Sequence, residues 1–215
     1  MADSRKMTGH QLAVFAHEKI GTPYVYGAKG KVLTEANFNY LHRVYGSRYV
    51  PYSDHRKIGQ VCVDCSGLIG WACGVWLNST NWYARAKKEG HVYPISTLKK
   101  APVGALVWCD GHIGIYIGME KGVLTYIAAD GSKYGTRKAP ISANRFTHWL
   151  LIPSVFDYEE DDEMIEKETV IIDGKKHEVE MIRKDGYTFI KTRDIADKLG
   201  YKISNQGKTP VFTKD

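Results

Sequence analysis

The chain has 215 residues, of which 43% are hydrophobic and 25% charged, with a formal net charge of +6. This is the composition of an ordinary globular protein of one or two domains, and no apolar run approaches the roughly 18 residues that a membrane-spanning helix needs. The charge is uneven: residues 1–153 hold 19 Lys/Arg against 9 Asp/Glu, whereas 154–215 hold 11 against 15, so the first part is expected to favour anionic polymers, among which charge does not choose.

Residues 1–6 are polar and lead straight into an amphipathic segment, without the charged-then-apolar pattern of a secretory signal. Synthesis in the cytoplasm is therefore expected. Over 8–20 the positions Leu12, Phe15, Ala16 and Ile20 recur at helical spacing, and Thr8 with Gln11 makes a capping box. Residues 27–60 are polar and aromatic-rich, with a helix expected around 35–44, and read as a surface insertion. A second helix is expected over 65–77, with Leu68, Trp71, Ala72 and Val75 on one face. Strands follow at 105–109, 112–117, 123–129 and 147–152; Asp110-Gly111 is a strong hairpin turn, so the first three are expected to form an antiparallel meander. Helices first and sheet afterwards make an α+β domain, expected to span 1–153. Residues 154–168 read as a linker, since 157–168 holds eight acids and one lysine. Residues 169–215 are expected to form a small α+β unit of three strands and a helix ended by Gly200.

The chemistry concentrates at Val63-Asp64-Cys65-Ser66-Gly67-Leu68-Ile69, which places a thiol at a helix start. Unpaired N–H groups and the positive end of the helix dipole stabilise a thiolate there, so a lowered pKa is expected for Cys65. The alternating segment Gly111-His112-Ile113-Gly114-Ile115-Tyr116-Ile117-Gly118 supplies a histidine on the strand face opposite the isoleucines, as a base would need. Gly111 and Gly114 leave space beside it for a helix end or a substrate backbone. The pair suggests a cysteine hydrolase. A buried core thiol and a hydrogen-bonded sheet histidine are the bland alternative.

Metal is a further alternative. Four cysteines, Cys62, Cys65, Cys73 and Cys109, are too few for a disulfide framework, and Cys62-Val-Asp-Cys65 with Cys109-Asp-Gly-His112 has the spacing of a structural zinc site. Against it, knuckle glycines are missing and a long amphipathic helix separates the pairs.

Gly21-Thr22-Pro23-Tyr24-Val25-Tyr26-Gly27, Asp64-Cys65-Ser66-Gly67-Leu68 and Gly111-His112-Ile113-Gly114-Ile115-Tyr116-Ile117-Gly118, in this order, resemble the NlpC-type family of papain-like peptidoglycan peptidases. The resemblance covers about 8–153 and implies a helix-start nucleophile packed on an antiparallel sheet, with hydrolysis of wall stem peptides, most often between γ-D-glutamyl and a diamino acid. It implies Cys65 as nucleophile, His112 as base, Tyr24 as an oxyanion partner beside the Cys65 N–H, and Asp64 and Ser66 as residues that hold the stem peptide. The family's histidine-orienting residue falls on Ala128, and Asp130, two residues on along the same strand face, is expected to take that role. The insertion at 27–60 resembles that of phage and prophage endolysins, which implies action on the wall after release through a membrane lesion made by another protein. Residues 169–215 resemble the small domain named after the N-terminal region of copper amine oxidases, expected here to attach to the wall without copper. No cofactor, metal, nucleic acid or membrane insertion is expected; the partners are peptidoglycan and anionic wall polymers. An inactive wall-binding module, an amidase acting at the sugar junction and a zinc-stabilised interaction protein are the other readings.

Overall fold

The computed structural model describes residues 6–158, 166–172, 174–184, 187–206 and 209–214. The chain divides into two compact units, Met1–Glu159 and Glu160–Asp215.

The first unit is mixed α+β. Strand β1 (Met7–Thr8) runs into helix α1 (Gly9–Glu18), whose start carries both halves of the expected capping box: the Thr8 hydroxyl accepts from the Gln11 N–H, and the Gln11 side chain accepts from the Thr8 N–H. Strand β2 (Lys29–Val32), helix α2 (Glu35–Tyr45), β3 (Val61–Val63), helix α3 (Cys65–Cys73) and helix α4 (Ser79–Glu89) follow. The remaining strands are β4 (Val92–Pro94), β5 (Leu106–Cys109), β6 (His112–Glu120), β7 (Val123–Ala129), β8 (Thr136–Pro140), β9 (His148–Leu150) and β10 (Phe156–Asp157).

Six of these strands form an antiparallel sheet in the order β4-β9-β5-β6-β7-β8, with the expected meander β5-β6-β7 at its centre. Period-two alternation divides β6 between two cores. Ile113 and Ile115 face Leu12 and Ala16 of α1 and Leu68 and Ile69 of α3, whereas Tyr116 joins Val107, Tyr126, Ala128 and Phe146 on the other face. β10 pairs parallel with β1, and Phe156 and Tyr158 pack into the helical core, so that core reaches Tyr158.

Two helices differ from sequence expectation for local reasons. Helix α3 stops at Cys73, not near residue 77, because Gly74 takes the left-handed conformation (φ 74°) and closes the cap onto the Gly70 carbonyl. The chain then doubles back, and the Trp76 ring lies where a Cβ on Gly70 would stand; Val75 and Leu77 pack against the core from outside the helix. Helix α4 has two deeply buried apolar residues at helical spacing, Trp82 and Ala86, too few to make a periodic signal. Its ends define it: the Asn78 side chain caps the Asn81 N–H, and Gly90 turns left-handed.

The insertion has a core of its own, made by Val25, Leu33, Phe38, Leu41, Val50 and Cys62. β2 pairs with β3, and the expected helix is α2. A buried ion pair ties it to neighbouring loops: Lys57 Nζ donates to Asp54 (2.7 Å) and to the carbonyls of Tyr24 (2.6 Å) and Ser132 (3.2 Å), and the Ser132 hydroxyl donates to Asp54.

In the second unit β11 (Glu166–Ile172), β12 (Lys175–Lys184) and β13 (Tyr187–Ile190) form an antiparallel sheet, followed by α5 (Thr192–Lys198) and a hairpin of β14 (Tyr201–Gln206) and β15 (Thr209–Lys214). Of the acidic run expected as a linker, 159–165 lies outside the described residues; its flanks, Asp157 and Glu166–Glu168, belong to β10 and β11.

Candidate active site

The thiol side is built by the β3–α3 junction. Asp64 is extended (φ −101°, ψ 179°) and caps α3: Oδ1 accepts from the Gly67 N–H (2.6 Å) and the Ser66 hydroxyl (3.1 Å), while Oδ2 accepts from the Gly27 N–H (2.9 Å). A single carboxylate thus joins the helix start to the loop carrying Tyr24. Gly67 is required there, because a Cβ would lie 2.4 Å from the Ala28 carbonyl oxygen.

Cys65 is the first residue of α3 and is 7% exposed. The backbone N–H groups of Ile113, Ser66 and Cys65 itself lie close enough to its sulfur to favour the thiolate, which places the sulfur one residue along β6 from His112. Sequence pattern predicts a lowered thiol pKa; the structure reverses this. Burial, reinforced by the negative charge of Asp64, pushes the thiol up to about 12 and outweighs the three N–H groups.

The imidazole side is built by β6, β7 and β8. Continuing the antiparallel register Ile115↔Ile127 by three residues sets His112 opposite Asp130. His112 Nε2 lies 2.9 Å from Asp130 Oδ1, and the ring stacks on Phe146 with centroids 5.7 Å apart. Asp130 is 2% exposed at its side chain and also accepts from Tyr126 Oη (2.7 Å), Arg137 Nε (2.6 Å) and Asn144 Nδ2 (3.3 Å). Burial alone would raise its pKa, but the hydrogen bonds from His112, Tyr126 and Arg137 outweigh it and hold the carboxyl below its ordinary value. An ionised carboxylate only accepts, so Nε2 carries a proton and Nδ1 is the nitrogen left to act as base.

Sequence reasoning missed Tyr126, Arg137 and Asn144. Arg137 lies on β8 directly opposite Ala128, a pairing that no local pattern in the chain announces. Gly114 has a different purpose from the one expected: Tyr126 and Ala128 side chains fill the space a Cβ would need, so that space serves the core, while Gly111 is open.

Tyr24 bridges to Val63 beside the cap. Its phenol is pushed up, first by burial and then by the nearby Cys65 and Asp64, which keeps it a protonated donor next to the thiol. Cys65, Asp64 and Ser66 open onto a groove of about 350 Å³ bordered by Tyr26, Trp76 and Gly111. A second groove of about 360 Å³ shares Gly27, Lys29 and Trp76 with the first and runs on along the insertion.

The C-x-x-C spacing does not gather a metal set. Cys62 turns into the insertion core, with the Gln60 carbonyl 3.6 Å from its sulfur, while Cys65 belongs to the helical core. All four cysteines are free, and among the described residues no three His, Cys, Asp or Glu side chains are grouped to hold a metal ion. No described helix is long and apolar enough to cross a membrane.

No family model matches the chain. No curated protein matches it either. Among solved structures it is similar to the P60 domain of an antigen from M. avium subspecies paratuberculosis, at 22% identity and a TM-score of 0.42, over 67% of this chain and 96% of that one.

Proposed function

We propose that the chain is a cysteine endopeptidase of bacterial peptidoglycan that cleaves stem-peptide amide bonds, with γ-D-glutamyl–diamino acid as the bond of choice. The observation that carries this reading is a thiol at a helix start, set against the N–H of Ile113, the residue that follows a histidine whose Nε2 is tied to a buried carboxylate. The three motifs that resemble NlpC-type peptidases supply the substrate class.

In this reading the resting thiol is protonated, because burial holds its pKa high. As the Cys65 sulfur attacks the amide carbon, its proton passes to His112 Nδ1, and Asp130 stabilises the imidazolium that forms. The tetrahedral oxyanion accepts from the Cys65 N–H and the Tyr24 hydroxyl. His112 then protonates the leaving amine, the C–N bond breaks, and a thioester remains. Water, deprotonated by His112, hydrolyses the thioester and restores the thiol. Asp64 and Ser66 border the groove and keep the cap and the Gly27 loop in place around the substrate. The second unit would attach the enzyme to the wall.

One observation favours a second reading, a wall-binding module without turnover: the thiol is buried and its pKa raised in the absence of substrate. Mass spectrometry of fragments released from purified peptidoglycan by the wild type and by Cys65→Ala separates the two. Fragments ending at γ-D-glutamate with the wild type alone establish the peptidase. Wall binding with no fragments from either protein, on walls of several chemotypes, establishes the module.

A further inference from the structure

The groove beside Cys65 does not end at the thiol. It continues past Trp76 along β2, and the two parts share Lys29. β2 is shaped to present charge there. Gly30 has φ +71°, and the Trp71 ring occupies the place of its missing Cβ, with ring atoms from 2.2 Å. No other residue fits. The strand slips register between Lys29 and Lys31, and the residues on either side of Gly30, two apart along the strand, both line the groove. Lys29 Nζ lies 5.6 Å from the Trp76 ring centroid, which lays its stem along the groove wall.

The charge of this groove is unbalanced. Asp64 is the one carboxylate among its lining residues, and both of its oxygens are occupied by Gly67, Ser66 and Gly27. Lys29 acts on Asp64 at a distance, yet among the described residues neither Lys29 nor Lys31 forms an ion pair. Two exposed ammonium groups facing a groove without available acids attract an anion carried by whatever lies in it.

We propose that Lys29 and Lys31 form a carboxylate subsite, so that the peptide positioned at Cys65 is selected by an acidic group it carries on the Trp76 side of the bond to be cut. The inference rests on the peptidase reading and adds to it a preference for stem peptides with free carboxylates over amidated ones. An ammonium pairs with a carboxylate and gains little from a carboxamide, and wall chemistries differ in that substitution.

The test is isothermal titration of the full chain carrying Cys65→Ala with two synthetic probes: the tripeptide L-alanyl-γ-D-glutamyl-diaminopimelate with every carboxyl free, and the same tripeptide with its carboxyls amidated. The free acid is expected to bind roughly ten-fold more tightly, as charge-assisted hydrogen bonds allow. That preference is expected to vanish when Lys29→Gln and Lys31→Gln are added, and to shrink as salt rises from about 50 mM to about 500 mM. Equal binding of the two probes, or a preference that survives both glutamine substitutions, overturns the subsite and leaves the peptidase reading standing. Binding of neither probe, with no fragment release by the wild type, removes the peptidase reading and the subsite with it.

Discussion

The two sides of the candidate site are held by different physics. The thiol side is a packing arrangement: a capped helix start, a glycine that lets α3 approach the Ala28 carbonyl, and a largely buried cysteine that borders the groove from the apolar core. The imidazole side is an electrostatic one, in which a buried carboxylate gathers His112, Tyr126, Arg137 and Asn144. Packing fixes a position at the cost of raising the thiol pKa. A charged network fixes an orientation and a tautomer while keeping the carboxylate ionised. One side is therefore sensitive to volume and the other to charge, and substitutions can separate them.

Asp130→Asn tests the charged side most severely. It preserves shape while removing the charge that holds the tautomer, so hydrolysis is expected to fall by about two to four orders of magnitude. Nitrogen chemical shifts of His112 should show the Nε2–H form lost in a protein that still folds; unchanged shifts would mean that Asp130 does not orient the ring.

Gly67→Ala is the matching test of the packed side. Its methyl would meet the Ala28 carbonyl oxygen at 2.4 Å, and urea unfolding should show a loss of about 1–3 kcal/mol, typical of overpacking. Activity should drop with it, because the same backbone carries Cys65.

The two sides should also respond to opposite ends of the pH scale. With the Cys65 thiol pushed up to about 12, its alkylation by iodoacetamide in the free protein should be slow at neutral pH. It should rise about ten-fold per pH unit above that, in step with the thiolate fraction. Fast, pH-independent alkylation near neutrality would show a preformed thiolate instead. Asp130 is held below its ordinary value, so the stability its charge contributes is present above about pH 4. That stability is lost as pH falls through the folded-state pKa.

Arg137→Gln should have the smallest effect. Asp130 keeps His112 and Tyr126, so the activity loss is expected to stay within about ten-fold, but its carboxyl pKa should rise. The acid limb of the pH–activity profile should therefore move upward, which a merely structural contact would not cause.

Much of the local framework is legible in the chain. The Thr8–Gln11 capping box, the Asp110-Gly111 hairpin and the alternation along β6 and β7 are short-range patterns, and each has its counterpart in the structure. Helix α4 left its mark only in Asn78 and Gly90, since two deeply buried apolar residues suffice where tertiary packing completes the face. Helix α3 ends before the apolar pattern does, because Val75 is apolar for the core and not for the helix.

For the site, the cysteine at a helix start and the strand histidine could be named from spacing, because helix caps and strand alternation act over a few residues, whereas Asp130 was reached through the family resemblance that points to Ala128, two residues before it. The thiol's protonation state could not, since it depends on how much of the protein covers the sulfur. Nor could the donors around Asp130, or the placing of Lys29 in the Cys65 groove and of Lys31 in the groove that adjoins it. Those depend on which strands lie side by side and on Trp71 and Trp76 meeting β2 and α3. Such contacts link residues distant in sequence, and only the folded chain brings them within hydrogen-bond or van der Waals range.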